Sequence, residues 1–165
     1  MRKGTIDFQG KYYEARACDL RPRGPRRDGP PILIGAEPNR PRALRLTAQY
    51  ADYWNIFSVN QVTNLAPARE ALDAACVKAG RDPATLQRTV TVLIDLPGSE
   101  SDPARGRLSR FRASRTPATG TPEELAELLR AFARAGVDHV QIFLEPGTEV
   151  GIDALMPVLE LLDRG

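Results

Sequence analysis

The sequence predicts an α/β fold of about four strand–helix units in succession, preceded by an extended or hairpin segment. Two observations carry this. From residue 32 onward, short β-prone runs alternate with helix-period segments, the pattern of parallel strands joined by helical crossovers. The segment ends also carry matching chemistry, of which Thr121-Pro122-Glu123-Glu124 is the clearest. Four units are half the complement of a (βα)8 barrel, so the alternation leaves two arrangements, an open α/β sheet or half of a barrel.

Residues 6–15, "IDFQGKYYEA", alternate around a Gly-Lys turn and predict a small hairpin. Residues 21–31, "RPRGPRRDGPP", are rich in Pro, Gly and Arg and predict an exposed loop. The chain therefore divides into an N-terminal extension, 1–30, and a main body, 31–165. In the main body, strand 32–36 precedes helix 41–50, and strand 53–57 precedes helix 66–79. Strand 89–96 is followed, after a long connection, by helix 121–135; strand 139–144 is followed by helix 152–162.

Local chemistry justifies these boundaries. Thr121 is placed to accept from the Glu124 amide while Glu124 reaches back, and Pro122 suits a first helical position. Leu125, Leu128, Leu129 and Phe132 follow on one helical face, and Gly136 stands where a C-terminal cap belongs. Val137, Val140, Ile142 and Phe143 make the next run β-prone. On the second helix Ala71, Leu72, Ala75 and Ala79 mark the stripe expected to be buried, closed by Gly80.

Composition narrows the function classes. A length of 165 residues fits one domain or a piece of a larger one, and 42% hydrophobic residues suffice for a core. No apolar run approaches the ~20 residues of a membrane span. Met1-Arg2-Lys3-Gly4 is basic, but no apolar segment follows, so no signal peptide is expected. A net charge of +2 gives no argument for nucleic acid. Cys18 and Cys76 lack metal-ligand spacing, and reduced thiols in a cytoplasmic protein are expected. No Cys/His cluster suggests a metal site, and neither a Gly-x-Ser-x-Gly elbow nor a Gly-rich nucleotide signature is present.

Three stretches, "GPPILIGA" (29–36), "RALRLTAQYADYWN" (42–55) and "GTPEELAELLRAFARAGVDHVQIF" (120–143), resemble the luciferase-like family of flavin- or deazaflavin-dependent oxidoreductases. The lead-in "DFQGKYYEA…LRP" looks like the segment before the fifth barrel strand of that family. The resemblance implies a partial TIM barrel, strands five to eight, without the half that supplies much of the isoalloxazine pocket. It implies FMN or deazaflavin as cofactor, a small-molecule substrate, and oxidoreductase or monooxygenase chemistry. It names no catalytic acid or base.

The turn after the first strand lies where barrel sites lie, at a strand's C-terminal end. Family members place the flavin phosphate near this loop, so the resemblance makes Gly35, Ala36, Glu37, Asn39 and Arg40 the cofactor-binding candidates. A helix N-terminus presents unpaired amides to an anion, Gly35 allows close approach, Asn39 is a candidate cap, and Arg40 or Arg42 adds charge. Many members of the family it resembles have a shorter Gly-Gly-Ser-Gly-like turn here; this chain has Ala36, Glu37 and Pro38, with extra residues before the helix, so one residue lacks an amide and another is acidic.

Other residues receive structural readings. Asp52 reads as a turn residue, Trp54 as packing in the barrel interior, and Asn55 as facing the site. His139, the single histidine, stands at the start of the last strand, away from the active face. Residues 97–120 are long for a connection and read as a lid, a substrate-selecting loop or a partly disordered segment. Two alternatives stand beside the enzyme reading. One is a non-catalytic remnant or partner subunit, whose open sheet edges call for a homodimer or a complementary half-barrel. The other is a nucleic-acid module using the arginines of 21–27 and 105–115, which lacks interleaved stacking aromatics in the first cluster.

Overall fold

The computed structural model describes residues 5–19, 21, 25, 29–57, 60–97 and 116–164. They fall into two compact units, Met1–Ile32 and Leu33–Gly165. In the first, β1 (Thr5–Gln9) pairs antiparallel with β2 (Glu14–Asp19). Between the Ile6↔Cys18 and Phe8↔Ala15 pairs, β2 carries one extra residue. Ala17 absorbs it with a positive φ of 47°, and its amide donates to Asp7 Oδ1 at 2.8 Å, which offsets part of the strain.

The second unit is a four-stranded parallel sheet in the order β3-β4-β5-β6. Its strands are β3 (Leu33–Gly35), β4 (Tyr53–Phe57), β5 (Gln87–Asp95) and β6 (His139–Glu145). The crossovers carry α1 (Pro41–Tyr50), α2 (Ala66–Lys78) and α3 (Pro122–Arg134), and α4 (Glu149–Asp163) follows β6. Each strand pairs with the next in sequence. Right-handed crossovers that always step the same way put every helix on one face, as in a barrel wall. A doubly wound sheet would reverse its order at a switch point. The predicted strands 32, 53, 89 and 139 thus lie side by side and co-directional.

The sheet has two chemically different faces. Trp54, Ile56, Val90, Val92 and Ile94 join the core with Leu44, Ala48, Leu72, Leu125 and Phe132 from the helices. Trp54 therefore lies under the helices, not in the barrel interior as the sequence suggested. Residue parity decides this, since successive strand side chains alternate faces. The stripe on α2 is Ala68, Leu72 and Cys76, with Ala71 and Ala75 half-buried beside it and Ala79 exposed. The helical period holds and the buried stripe is shifted by one position, because alanines do not reveal which side of a helix is apolar.

Helix ends follow local chemistry. Gly80 and Gly136 have φ of 71° and 78°, and each directly follows the C-cap residue of a helix, Ala79 and Ala135. The amide after each reaches back five residues, Arg81 to the Cys76 carbonyl and Val137 to the Phe132 carbonyl, the Schellman pattern. The C-terminus of α1 has no basic residue of its own; Arg81 supplies one, donating to the Ala51 carbonyl at 2.7 Å and that of Ala48 at 3.3 Å. Asn39 is not the cap of α1: Arg40 holds that position, with no side-chain capping bond. The last helix starts at Glu149, a turn before the sequence placed it, because Thr148 caps it through the Gly151 amide.

The predicted capping box of α3 is present. Thr121 Oγ1 accepts from the Glu124 amide at 3.3 Å, and the Thr121 amide donates to Glu124 Oε2 at 2.8 Å. Thr121→Ala is expected to cost about 1 kcal/mol, read as a lower urea midpoint. Glu123 adds a pH dependence. Its carboxylate is held below the ordinary glutamate range by a backbone hydrogen bond first and by the Thr121 hydroxyl second. A depressed carboxylate stabilises the fold above its unfolded value and loses that as pH falls through its folded value. The stability gap between the wild type and Glu123→Gln is therefore expected to shrink as pH drops through the carboxylate range.

Candidate functional site at the C-terminal ends of the strands

The loop after β3 is built by three hydrogen bonds. The Ala36 amide donates to the Asn55 carbonyl at 3.1 Å, extending the β3–β4 ladder by one rung. The Trp54 indole Nε1 donates to the Ala36 carbonyl at 2.9 Å. The Arg40 amide donates to the Glu37 carbonyl at 3.0 Å, closing a turn with Pro38 at its second position, where the ring's fixed φ suits it. Ala36 is buried with both backbone groups engaged, so it anchors the loop. Glu37 is half-buried, and Gly35, Asn39 and Arg40 are exposed.

The N-terminus of α1 beyond this loop is electrostatically open. No side chain caps it, Pro41 occupies the first position, and no acidic residue stands in the first turn. The amides of Arg42 and Ala43 therefore point toward the loop without an intrahelical partner. A Cβ on Gly35 would come no closer than 3.9 Å to the Asn55 carbonyl, an ordinary contact. Nothing within this unit requires glycine there, so the space beside Gly35 is free for a ligand.

The inner face of the sheet carries polar residues that the sequence reading passed over. Asn55 faces inward, as expected, and does not stand alone. Thr89 Oγ1 lies 2.8 Å from Asn55 Oδ1 and 3.0 Å from the Trp54 carbonyl. Asn55 Nδ2 donates to Thr91 Oγ1 at 3.1 Å, and Thr91 Oγ1 donates to Gln141 Oε1 at 3.1 Å. One polar chain thus crosses three adjacent strands. The signal was present in Thr89-Val90-Thr91-Val92, where hydroxyls alternate with purely apolar residues. Toward the C-terminal ends the face turns apolar: Phe57 and Phe143 meet edge to face at 6.2 Å between ring centres. Asp95 and Glu145 stand opposite each other on the last register pair, Glu145 being buried.

Ala118 forms a parallel bridge with Ile94 through two bonds, its amide to the Leu93 carbonyl at 2.8 Å and the Asp95 amide to its own carbonyl at 3.0 Å. Because β6 covers the other side of β5, this segment continues the row of β4, which stops at Phe57. Most of the predicted lid, 98–115, lies outside the described residues, as do most of the arginines of 21–27 and 105–115. Arg21 is described and pairs with Asp19 at 2.6 Å. His139 is exposed at the first position of β6, the end opposite the loop. The Asp52 carbonyl accepts from the Gln87 amide at 3.1 Å, a turn role. Cys18 and Cys76 are both free thiols, and burial pushes that of Cys76 up. Among the described residues no group of three His, Cys, Asp or Glu side chains is arranged to hold a metal. None of their helices is long and apolar enough to cross a membrane.

A parallel sheet with sequential strand order, helices on one face and a polar inner face defines a segment of a (βα)8 barrel. Residues 1–96 match the model of the luciferase-like monooxygenases, and the chain belongs to that family. It is 31% identical over 156 residues to the pyrimidine monooxygenase RutA of Stutzerimonas stutzeri, covering 91% of this chain and 39% of that protein. It is 34% identical over 110 residues to the phthiodiolone/phenolphthiodiolone dimycocerosates ketoreductase of Mycobacterium tuberculosis, covering 67% of this chain and 26% of that one. The chain thus spans about two fifths of RutA's length. Among solved structures, long-chain alkane monooxygenase LadA superposes with a TM-score of 0.69 at 15% identity, over 97% of this chain and 46% of that one. An F420-dependent secondary alcohol dehydrogenase holding an F420-acetone adduct superposes at 0.65 and 16% identity, over 96% and 56%. These two likenesses concern the fold.

Proposed function

We propose that this chain forms the cofactor-phosphate side of a luciferase-like, flavin- or deazaflavin-dependent oxidoreductase of monooxygenase type acting on a small molecule. One observation carries the reading: the uncapped, acid-free N-terminus of α1 beside open space at Gly35. Two orphan amides and the Arg40 and Arg42 side chains suit the phosphate of FMN or of a deazaflavin. Gly35 gives the ligand room, Ala36 anchors the loop, and Asn39 adds a polar side chain at the turn. Glu37 opposes an anion, so its contribution is confined to the backbone. Bound, the cofactor supplies the redox chemistry, while these residues bind and orient it. The two free thiols suit a reducing cytoplasm. The runner-up is a non-catalytic subunit that needs a second half-barrel, and the edges of β3 and β6, which no strand pairs among the described residues, favour it.

Fluorescence titration with FMN and with riboflavin tests the phosphate role. FMN is expected to bind roughly tenfold tighter or more, since charge-assisted hydrogen bonds contribute about 1.5–3 kcal/mol. Gly35→Val is expected to abolish FMN binding with the melting temperature unchanged. Equal affinity for FMN and riboflavin would overturn the phosphate assignment, and absence of any binding favours the non-catalytic subunit.

A further inference from the structure

We propose that two copies of this chain close one eight-stranded barrel, β6 of each copy pairing in parallel with β3 of the other about a two-fold axis along the barrel. The inference goes beyond the cofactor reading and is independent of it. Each of these strands has a neighbour on one side only among the described residues. A long open edge is a template for another strand, and β6 offers seven residues of it. All four strands run the same way, and a two-fold axis along them preserves that sense in a second copy. Four strands from each copy make the eight of the family's barrel, and the symmetry forms both junctions at once.

The helices at the two ends of the sheet support the same partner. Closure brings α4 of one copy beside α1 of the other, because these helices follow the strands that meet. On α4, Ile152 and Met156 lie one turn apart with 55% and 44% of their surfaces exposed, and on α1 Tyr50 is 64% exposed. Leu33 on β3 is exposed as well. Arg42 and Arg45 face the other way, lining the groove between α1 and α2 with Ala71, Ala74 and Lys78. Exposed apolar side chains on both helices are what a contact between copies buries.

Sedimentation of the full chain without cofactor over a range of concentrations, beside Met156→Glu and Tyr50→Glu, tests this. The wild type is expected to sediment at twice the chain mass. Each variant is expected to weaken the dimer about tenfold or more, as for a buried anchor residue, with an unchanged far-UV circular dichroism spectrum. Both side chains are exposed in the single chain, so loss of the fold is not expected; Ile152→Asp is the further variant should either fail that control. A wild type monomeric at every concentration overturns the proposal. So does a dimer indifferent to all variants, or a monomer that pairs one-to-one with the N-terminal half-barrel of a RutA-type relative instead.

Discussion

Trp54→Ala is expected to lower stability by about 3–5 kcal/mol and to disorganise the loop after β3. The indole is fully buried between the sheet and the helices. Its loss leaves a cavity in the core that it shares with Leu44, Ala48 and Leu72 of the helical layer. It also strips the buried Ala36 carbonyl of the donor that holds it at 2.9 Å. Trp54→Phe separates these effects. The ring keeps much of the volume but loses the N–H, so about 1–3 kcal/mol is expected for the orphaned carbonyl alone. Urea unfolding of both variants measures the stabilities, and FMN titration measures the loop. If Trp54→Phe unfolds early but binds FMN like the wild type, the indole bond holds the core and not the site.

Gly151→Ala sets two effects of opposite sign against each other. Gly151 lies inside α4, where alanine is the better helix former by about 1 kcal/mol. On propensity alone the substitution stabilises. The structure reverses the sign: a Cβ there would stand 1.8 Å from the Pro146 carbonyl oxygen and 2.9 Å from its carbon. Both are backbone atoms, which a rotamer change cannot move. The loop between β6 and α4 must then shift, and overpacking of this kind costs about 1–3 kcal/mol or more. Net destabilisation of about 2 kcal/mol is expected, with the midpoint of urea unfolding as the readout. A more stable variant would show that the loop yields freely and that close approach is not why glycine stands there.

These two positions show which features were legible in the chain and which were not. The helix 41–50 and strand 53–57 were read to the residue, because prolines, alternation and end chemistry are encoded within a few neighbours. The capping box at Thr121 and the glycine at 136 were read for the same reason. Two errors arose where the information lies across the fold. The sequence alone puts Trp54 on the wrong face, because alternation gives parity and not which face the helices cover. Asn39 has the residue type of a cap, but the turn closed by Glu37 and Arg40 moves the cap one residue on.

Local chemistry in the sequence determined that the chain would form parallel strands joined by helices, and where most of them begin and end. Periodicity and capping act over a few residues, so they can be read without a fold. Only the tertiary structure decided the order of the strands, the face on which Trp54 packs, and the polar chain of Asn55, Thr89, Thr91 and Gln141. Those depend on hydrogen bonds and contacts between residues 18 to 50 positions apart. Pairing of that kind follows from how strands lie beside one another, which no stretch of neighbours records.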